Sequence, residues 1–582
     1  MNISRRDAFK WGLGASGMLM LPWTFPEKAL AQTAPPDDND TTTTFTPFQV
    51  ALPISPVLSP VQRTSTTDYY YIVLQKTQMP IQGLAATGVP TNVWSYTGIT
   101  NRGLLPAVIP GPTIRQQIGR QSVVRFVNCL GNLAENDIPT TDKQKWPIGE
   151  PINAVIHLHG MASLPQYDGY TVDYIQPYYY KDYHYPNDRP ATFWYHDHAL
   201  DRTRRNVAMG MAGIYVVYDQ FELDNLPSGN YDIPLVFQSY PDPAGATAYN
   251  GYTLVNGVYQ ARLQVKPRKY RFRLLNATAT QTLYLSLLQT DATSRAYPGP
   301  VITVIGTDGG LVEKPVTTTE LRIGMGERYE ILIDFSQYYL ADATNNFVFL
   351  ITNNQDASNG DGGSTTPLLL FEITTPDNED QLVIPNTLRP FKALPTSGVR
   401  RVRQFVFDFT PKADVPPVSD PNASTEQCIP NQTQIATING KRWDTQRVDA
   451  DPGLGDIEIW SLVNKTALIH PIHIHLLDFQ MLSRNGQPPL PYEQNWKDIF
   501  LLGPYDEIEI IGQLGPNRGK YMMHCHNLLH EDCAMMTQFE VGQGGPDPCS
   551  APAQPLTPED CRNLGIEDLC PKSVHTEILE GS

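Results

Sequence analysis

Charge is scarce in this chain. Only 18% of its 582 residues are Asp, Glu, Lys or Arg, and 60 acids against 43 bases leave a formal net charge of −17. An acidic surface argues against nucleic acid and anionic membrane as main partners, and solubility explains it as well as any affinity for cationic substrates. The chain also lacks an apolar run long enough to anchor it at its N-terminus. The stretch 11–25 contains glycines and Pro22 and falls short of the roughly 20 residues that a membrane span needs. Methionine is sparse, 13 residues with no Met-rich insert, which disfavours recognition of Cu(I) as a substrate, since thioether ligands select that ion. Cysteine is limited to seven: Cys129, Cys428, Cys525, Cys533, Cys549, Cys561 and Cys570. Between His198 and His470 there is no histidine at all.

What is present begins with an address. Ser4-Arg5-Arg6-Asp7-Ala8-Phe9-Lys10 precedes the short apolar stretch, and Ala29-Leu30-Ala31 follows it. Residues 1–31 read as a twin-arginine export signal cleaved after Ala31, so the mature chain is expected in the periplasm or outside the cell, without membrane insertion. That route carries folded proteins, which suits a chain that takes up a cofactor before export. Residues 32–44 read as a linker. Beyond them, alternating apolar runs are punctuated by 51 prolines and 42 glycines, the pattern of an all-β protein.

A weak repeat points to three similar units. Val124-Arg125-Phe126-Val127-Asn128, Arg271-Phe272-Arg273-Leu274-Leu275-Asn276 and Ile459-Trp460-Ser461-Leu462-Val463-Asn464 each read as a strand ending at an Asn. Val255-Asn256-Gly257 and Ile438-Asn439-Gly440 read as hairpin turns upstream of the second and third copies. The units span 45–219, 220–395 and 396–545, with a polar loop at 353–367 and a tail at 546–582 that holds three cysteines and reads as stapled.

Ten of the 12 histidines fall in four clusters: His157-Leu158-His159, His196-Asp197-His198, His470-Pro471-Ile472-His473-Ile474-His475, and His524-Cys525-His526-Asn527-Leu528-Leu529-His530. On a strand, residues two apart share a face, so each His-x-His presents two imidazoles side by side. A lone pair of this kind is usually structural. Four pairs drawn from the first and third units are another matter, because eight imidazoles exceed the four ligands of a structural zinc site. Cys525 points to the opposite face from His524 and His526. With His470 and His530 it offers a thiolate and two imidazoles, a donor set suited to copper, and Met535 is spaced to be a weak axial ligand. Met536 reads as core packing. His184 and His575 stand outside the clusters and read as non-ligands.

These four motifs, in this order, resemble those of the multicopper oxidases. Pro110-Gly111-Pro112-Thr113-Ile114-Arg115, Phe193-Trp194-Tyr195-His196-Asp197-His198, Thr307-Asp308-Gly309-Gly310 and Gly326-Glu327-Arg328 also look like family segments, and the third-unit motifs look closest to the bilirubin oxidase, spore-coat laccase and phenoxazinone synthase branch. The resemblance implies three consecutive cupredoxin-like Greek-key β-sandwich domains and four copper ions. It assigns the type 1 copper to His470, Cys525, His530 and Met535, and the type 2 copper to His157 and His473. The type 3 pair falls to His159, His196, His198, His475, His524 and His526. It also implies that Asp168 and Glu531 relay the protons consumed in reducing dioxygen, against the plainer reading that both cap turns. Asp498 is a candidate orienter of a ligand histidine.

One departure matters. Bilirubin oxidases carry a Trp two residues before the first His of the HPIHIH motif, where this chain has Leu468. The expected partners are therefore dioxygen and a small aromatic reductant, a phenol or aminophenol. Two alternatives stand beside this: a metallo-oxidase of Mn(II), Cu(I) or Fe(II), and a copper-binding protein without activity. The aromatic loop 178–185 reads as packing or as an entrance lining.

Overall fold

The computed structural model describes residues 47–571 other than 83–89, 138–145, 241–251, 291–295, 299–300, 340–345, 354–364, 377–379 and 418–432. The expected export signal and linker, most of the polar loop 353–367, Cys428 and His575 lie outside the described residues. Among the described residues no helix is long and apolar enough to cross a membrane.

The alternating runs become strands whose apolar faces meet in three two-sheet sandwiches. The first pairs a seven-stranded sheet with a four-stranded one, made of Gly111–Gln117, Ala212–Tyr218, Ala191–Asp197 and Ile156–His159. The second pairs two six-stranded sheets. The third pairs a six-stranded sheet with a four-stranded one, made of Ile499–Leu502, His470–Ile474, Gly519–Cys525 and Met536–Val541. Each sandwich closes on its own apolar core: Trp94, Phe126 and Phe193 in the first, Phe272, Phe335 and Phe371 in the second, Trp460, Phe479 and Phe539 in the third.

The repeat has a physical basis. The three Asn-ended segments lie in Gln121–Asn128, Lys269–Ala277 and Ile457–Asn464, each paired in parallel with an earlier strand of its own unit. In every copy the Asn side chain accepts from the amide two residues on: Leu130, Thr278 and Thr466. Its own NH2 donates to two carbonyls: Ile152 and Ile175 for Asn128, Gln281 and Ile323 for Asn276, Leu468 and Gly503 for Asn464. A short amide in a turn can fill both roles, which apolar residues cannot.

One expectation needs correction, and the stapled tail is borne out. The aromatic stretch is a strand, Tyr179–Tyr185, hydrogen-bonded between Gln121–Asn128 and Gln554–Pro555 in the seven-stranded sheet. Alternate tyrosines face the core: Tyr183 and Tyr185 are buried while His184 is exposed. The tail is also built into the fold. After the strand Gln554–Pro555 comes the helix Pro558–Leu564, capped by Thr557. Cys561 pairs with Cys570, and Cys561, Leu564 and Ile566 pack on Val73, Ile99 and Val127 of the first sandwich.

Candidate metal centre

The antiparallel ladders set the histidines opposite one another. His157 lies across from His196 in the first sandwich, and His473 across from His524 in the third. The two four-stranded sheets then bring these pairs together, and His157 Nε2 stands 3.2 Å from His473 Nε2 although 316 residues separate them. His524 Nε2 lies 3.1 Å from His198 Nε2 and 3.2 Å from His475 Nε2. All eight rings of the His-x-His pairs are buried.

Hydrogen bonds at the back of the rings decide which nitrogen faces inward. A carbonyl only accepts, so a ring nitrogen against one must carry the proton. His157 Nδ1 donates to the Asp168 carbonyl at 2.5 Å, His473 Nδ1 to the Asp498 carbonyl at 3.0 Å, and His196 Nδ1 to the Asp197 carbonyl at 2.8 Å. Their Nε2 atoms are therefore bare. Ionised, Asp168 Oδ2 at 2.8 Å would accept from His475 Nδ1, and Asp498 Oδ1 at 3.1 Å from His159 Nε2, which turns His159 Nδ1 inward.

The result is a buried cluster of unpaired lone pairs. His159 Nδ1, His196 Nε2 and both nitrogens of His526 have no hydrogen-bond partner among the described residues. Burial, and then the neighbouring rings, push His157, His159, His196, His473 and His475 well below the ordinary imidazole range, so protons do not fill these sites near neutral pH. Each buried unpaired polar atom costs on the order of 1–3 kcal/mol. Facing lone pairs add repulsion that a cation would reverse. The donor set, all imidazole and with outer hydrogen bonds in place, fits a transition metal.

A second centre lies on the other face of the strand Gly519–Cys525. Cys525 Sγ is 3.4 Å from His470 Nδ1 and 3.7 Å from His530 Nδ1, and the two nitrogens are 3.1 Å apart. His530 rides on the short helix Leu528–Glu531, capped by the Asn527 side chain. The His470 tautomer follows from its neighbours. Thr466 Oγ1 donates to Asn464 Oδ1, so at 2.8 Å it accepts from His470 Nε2 and leaves Nδ1 bare toward the sulfur. Burial pushes the Cys525 thiol well up, so a thiolate there calls for a cation beside it. Met535 is buried in the same core, and its carbonyl accepts from the Cys525 amide at 3.0 Å. Met536 lies opposite His524 in the ladder and packs on Trp443 and Met522, a core role as expected.

The carboxylates stand where they touch rings. Asp168 holds His157 and His475, and its Oδ1 has no hydrogen-bond partner among the described residues. Burial pushes its carboxyl well up. Glu531 Oε2 is 3.1 Å from His524 Nδ1, and Oε1 is 3.6 Å from His198 Nε2. Asp498 touches both His159 and His473. His184 is no part of the cluster and lies tilted against Tyr167, ring centres 4.6 Å apart.

Besides Thr466, two residues that position the rings are not singled out by the sequence. Asp197, between two ligand-type histidines, accepts from the amides of Val155 and Ala199 and from Asn206, bracing the His196-Asp197-His198 turn. Arg328 reaches in from the second sandwich to Asp498. The Gly326-Glu327-Arg328 motif was visible, but its 170-residue separation from Asp498 hid the contact.

Known proteins agree with this picture. Sequence models described as multicopper oxidase match residues 151–222, 194–369 and 414–545. Over 534 residues the chain is 33% identical to a bilirubin oxidase of Albifimbria verrucaria, covering 85% of this chain and 81% of that one. In fold it is similar to the McoA multicopper oxidase 2F4 variant of Aquifex aeolicus, with a TM-score of 0.68 and 24% identity over 85% of this chain and 99% of that one. A laccase of Bacillus subtilis (strain 168) is 31% identical over 556 residues, 86% of this chain and 99% of the laccase. Identity sustained over nearly the whole of that relative places the chain in the multicopper oxidase family, in its laccase and bilirubin oxidase branch, as a copper-dependent oxidoreductase with dioxygen as acceptor.

Proposed function

We propose that this chain binds four coppers and couples one-electron oxidation of phenols, aminophenols or similar small aromatic reductants to reduction of dioxygen to water. One observation carries the reading: Cys525 converges with His470 and His530, its chain neighbour His524 converges with His198 and His475, and its other neighbour His526 lies with its ring beside those of His159 and His196. The rings of His159, His196 and His526 are mutually 5.1–5.7 Å apart. Those of His198, His475 and His524 are 4.8–5.3 Å apart, and His157 and His473 form a remaining pair at 5.5 Å. The rings of His159 and His473 are also 3.6 Å apart and those of His157 and His475 4.0 Å, so the eight rings form one cluster; the family resemblance divides it into a type 3 pair held by the two trios and a type 2 copper held by His157 and His473. His470, Cys525 and His530 would hold the type 1 copper, with Met535 axial. Bound copper would supply one-electron oxidation at Cys525 and four-electron reduction of dioxygen at the histidine cluster.

The residues of the chain do the rest. From Cys525 Sγ an unbroken covalent path runs through one peptide bond to His524 and through another to His526. Burial of the rings excludes bulk water. Asp168 and Glu531 touch the cluster through different histidines, so each can pass protons to it, Asp168 at Oδ1 and Glu531 at its two oxygens. On the reductant side His530 keeps 7% exposure and His470 none, a narrower edge than open docking would give. Half-buried Phe409 lies 5.6 Å from the His530 ring and 6.1 Å from His470. Leu468 and Leu529 are half-buried nearby. Such an apolar rim favours an aromatic reductant over a hydrated metal ion. Export by the twin-arginine route to the periplasm or beyond completes the proposal.

Oxygen uptake by copper-loaded protein tests it, with a phenolic dye and separately with Mn(II), Cu(I) and Fe(II). The dye should drive saturable uptake well above any of the ions. Uptake with ions alone would make the chain a metallo-oxidase, and no uptake with any reductant would make it a binding protein.

A further inference from the structure

The second sandwich contributes no histidine, yet it closes the histidine cluster. Arg328 leaves the strand Arg328–Asp334 fully buried, and every N–H of its guanidinium has an acceptor. Nη1 and Nη2 donate to Asp498 Oδ1 and Oδ2, both at 2.6 Å. Nε donates to the Thr192 carbonyl of the first sandwich at 3.0 Å. The remaining N–H groups reach the carbonyls of Gly326 and Asp308, at 3.1 and 3.3 Å. One side chain thus joins all three sandwiches at the residue that fixes the tautomers of His159 and His473.

The space around this contact is closed. A Cβ on Gly160, next to His159 and at φ +94°, would lie 2.6 Å from Arg328 Nη2 and 2.7 Å from Asp498 Oδ2. A Cβ on Gly326, at φ +81°, would lie 2.9 Å from His526 Cδ2. Real Cβ atoms do not approach backbone-tethered groups so closely, and positive φ adds strain for any other residue. Gly326 and Arg328, two residues apart, therefore press on two different parts of the cluster.

We propose that Arg328 is a positioning residue for the histidine cluster: the sandwich without ligands uses it, with Gly326 beside it, to hold Asp498, and through Asp498 to orient His159 and His473. Lysine cannot replace it, because a single ammonium cannot form the two-pronged bond or reach Thr192 at the same time. The inference rests on the copper assignment above.

Arg328→Lys, Arg328→Met and Asp498→Asn test it, read by copper per chain, the visible thiolate band and the paramagnetic resonance signal of the non-blue copper. Arg328 touches no part of the Cys525 centre, so the blue band should stay at wild-type intensity in Arg328→Lys. Uptake of the other three coppers should weaken 10–100-fold, the usual effect of removing an outer contact, and the non-blue signal should change. Asp498→Asn, which keeps an acceptor for His159, should sit between Arg328→Lys and Arg328→Met. Full copper with an unchanged non-blue signal in Arg328→Met would overturn the proposal. So would loss of the blue band in step with the other coppers in all three variants, because that marks a general folding role. A wild-type protein without the blue band and its full copper would instead defeat the underlying assignment, and this inference with it.

Discussion

Cys525 and its two flanking histidines face opposite sides of one strand, so a single three-residue step separates two kinds of chemistry. Removing the sulfur should touch only one of them. Cys525→Ser is expected to lose the blue band and one copper, keep about three, and oxidise phenols at less than a thousandth of the wild-type rate; copper analysis, the visible spectrum and oxygen uptake check this. Asp168→Asn should act on the other side. The amide still accepts from His475 Nδ1 but cannot carry a proton in the same way. Turnover should fall about 10²–10⁴-fold with copper content and reduction of the Cys525 centre unchanged, which single-turnover measurements can separate. At this scale the sequence was informative where a residue stands near a motif: Asp168 and Glu531 touch rings of the cluster, and Asp498, 23 residues beyond His475, touches His159 and His473. It was silent on Arg328 and on the Thr466 hydroxyl that sets the His470 tautomer, because a hydrogen bond across sandwiches or around a turn leaves no periodic signal.

The elements that mattered most were the plainest to read. A period of two needs only alternate residues, so His157-Leu158-His159 and His524-Cys525-His526 announce paired ligands on strands. The Asn-ended repeats announce three copies of one connection, and in the third copy the same turn places Thr466 against His470. The strand Tyr179–Tyr185 carries a weak sequence signal, because Lys181 interrupts the face shared by Tyr179, Tyr183 and Tyr185. Its partner, Gln554–Pro555, lies over 370 residues away, beyond any local pattern. The disulfide behind the tail strand closes a loop of ten residues, Cys561 to Cys570, and loop closure of that size is worth about 2–3 kcal/mol. Cys561→Ser should therefore expose the tail to limited proteolysis while the blue band remains. An intact, resistant tail in that variant would show that packing on Val73, Ile99 and Val127 suffices.

Across the whole molecule, three sandwiches are tied by buried charge as well as by the cluster itself. Asp232 binds Arg273 at 2.7 Å and Arg115 of the first sandwich at 2.7 Å, while Glu330 binds Arg271 and Arg273 and accepts from Thr192 of the first sandwich. Burial alone would raise Asp232, but Arg273, Arg271 and Arg115 hold it well below the usual carboxylate range; Arg271 and Arg273 lower Glu330 likewise. A depressed folded pKa gives stability that is present above the unfolded value, about 4, and lost as pH falls through the folded one. Thermal unfolding should therefore drop steeply below about pH 4. In Asp232→Asn the protein should be less stable at pH 7 by about 1.5–3 kcal/mol, because Arg273 keeps Glu330 but loses its charge-assisted bonds to Asp232, as does Arg115, and the acid slope should be shallower. Three units were legible from the repeats, but the joints between them were not, since charged residues on buried strands look like surface residues in a one-dimensional pattern.

The account as a whole turns on separate centres, a sulfur-bound copper and a histidine-held group, forming in one folded chain. Copper quantification with the visible spectrum of the purified, copper-loaded protein tests this most directly. About four coppers per chain with an intense blue thiolate band is the predicted result. A colourless protein, or one that fills these sites with zinc alone, would contradict it.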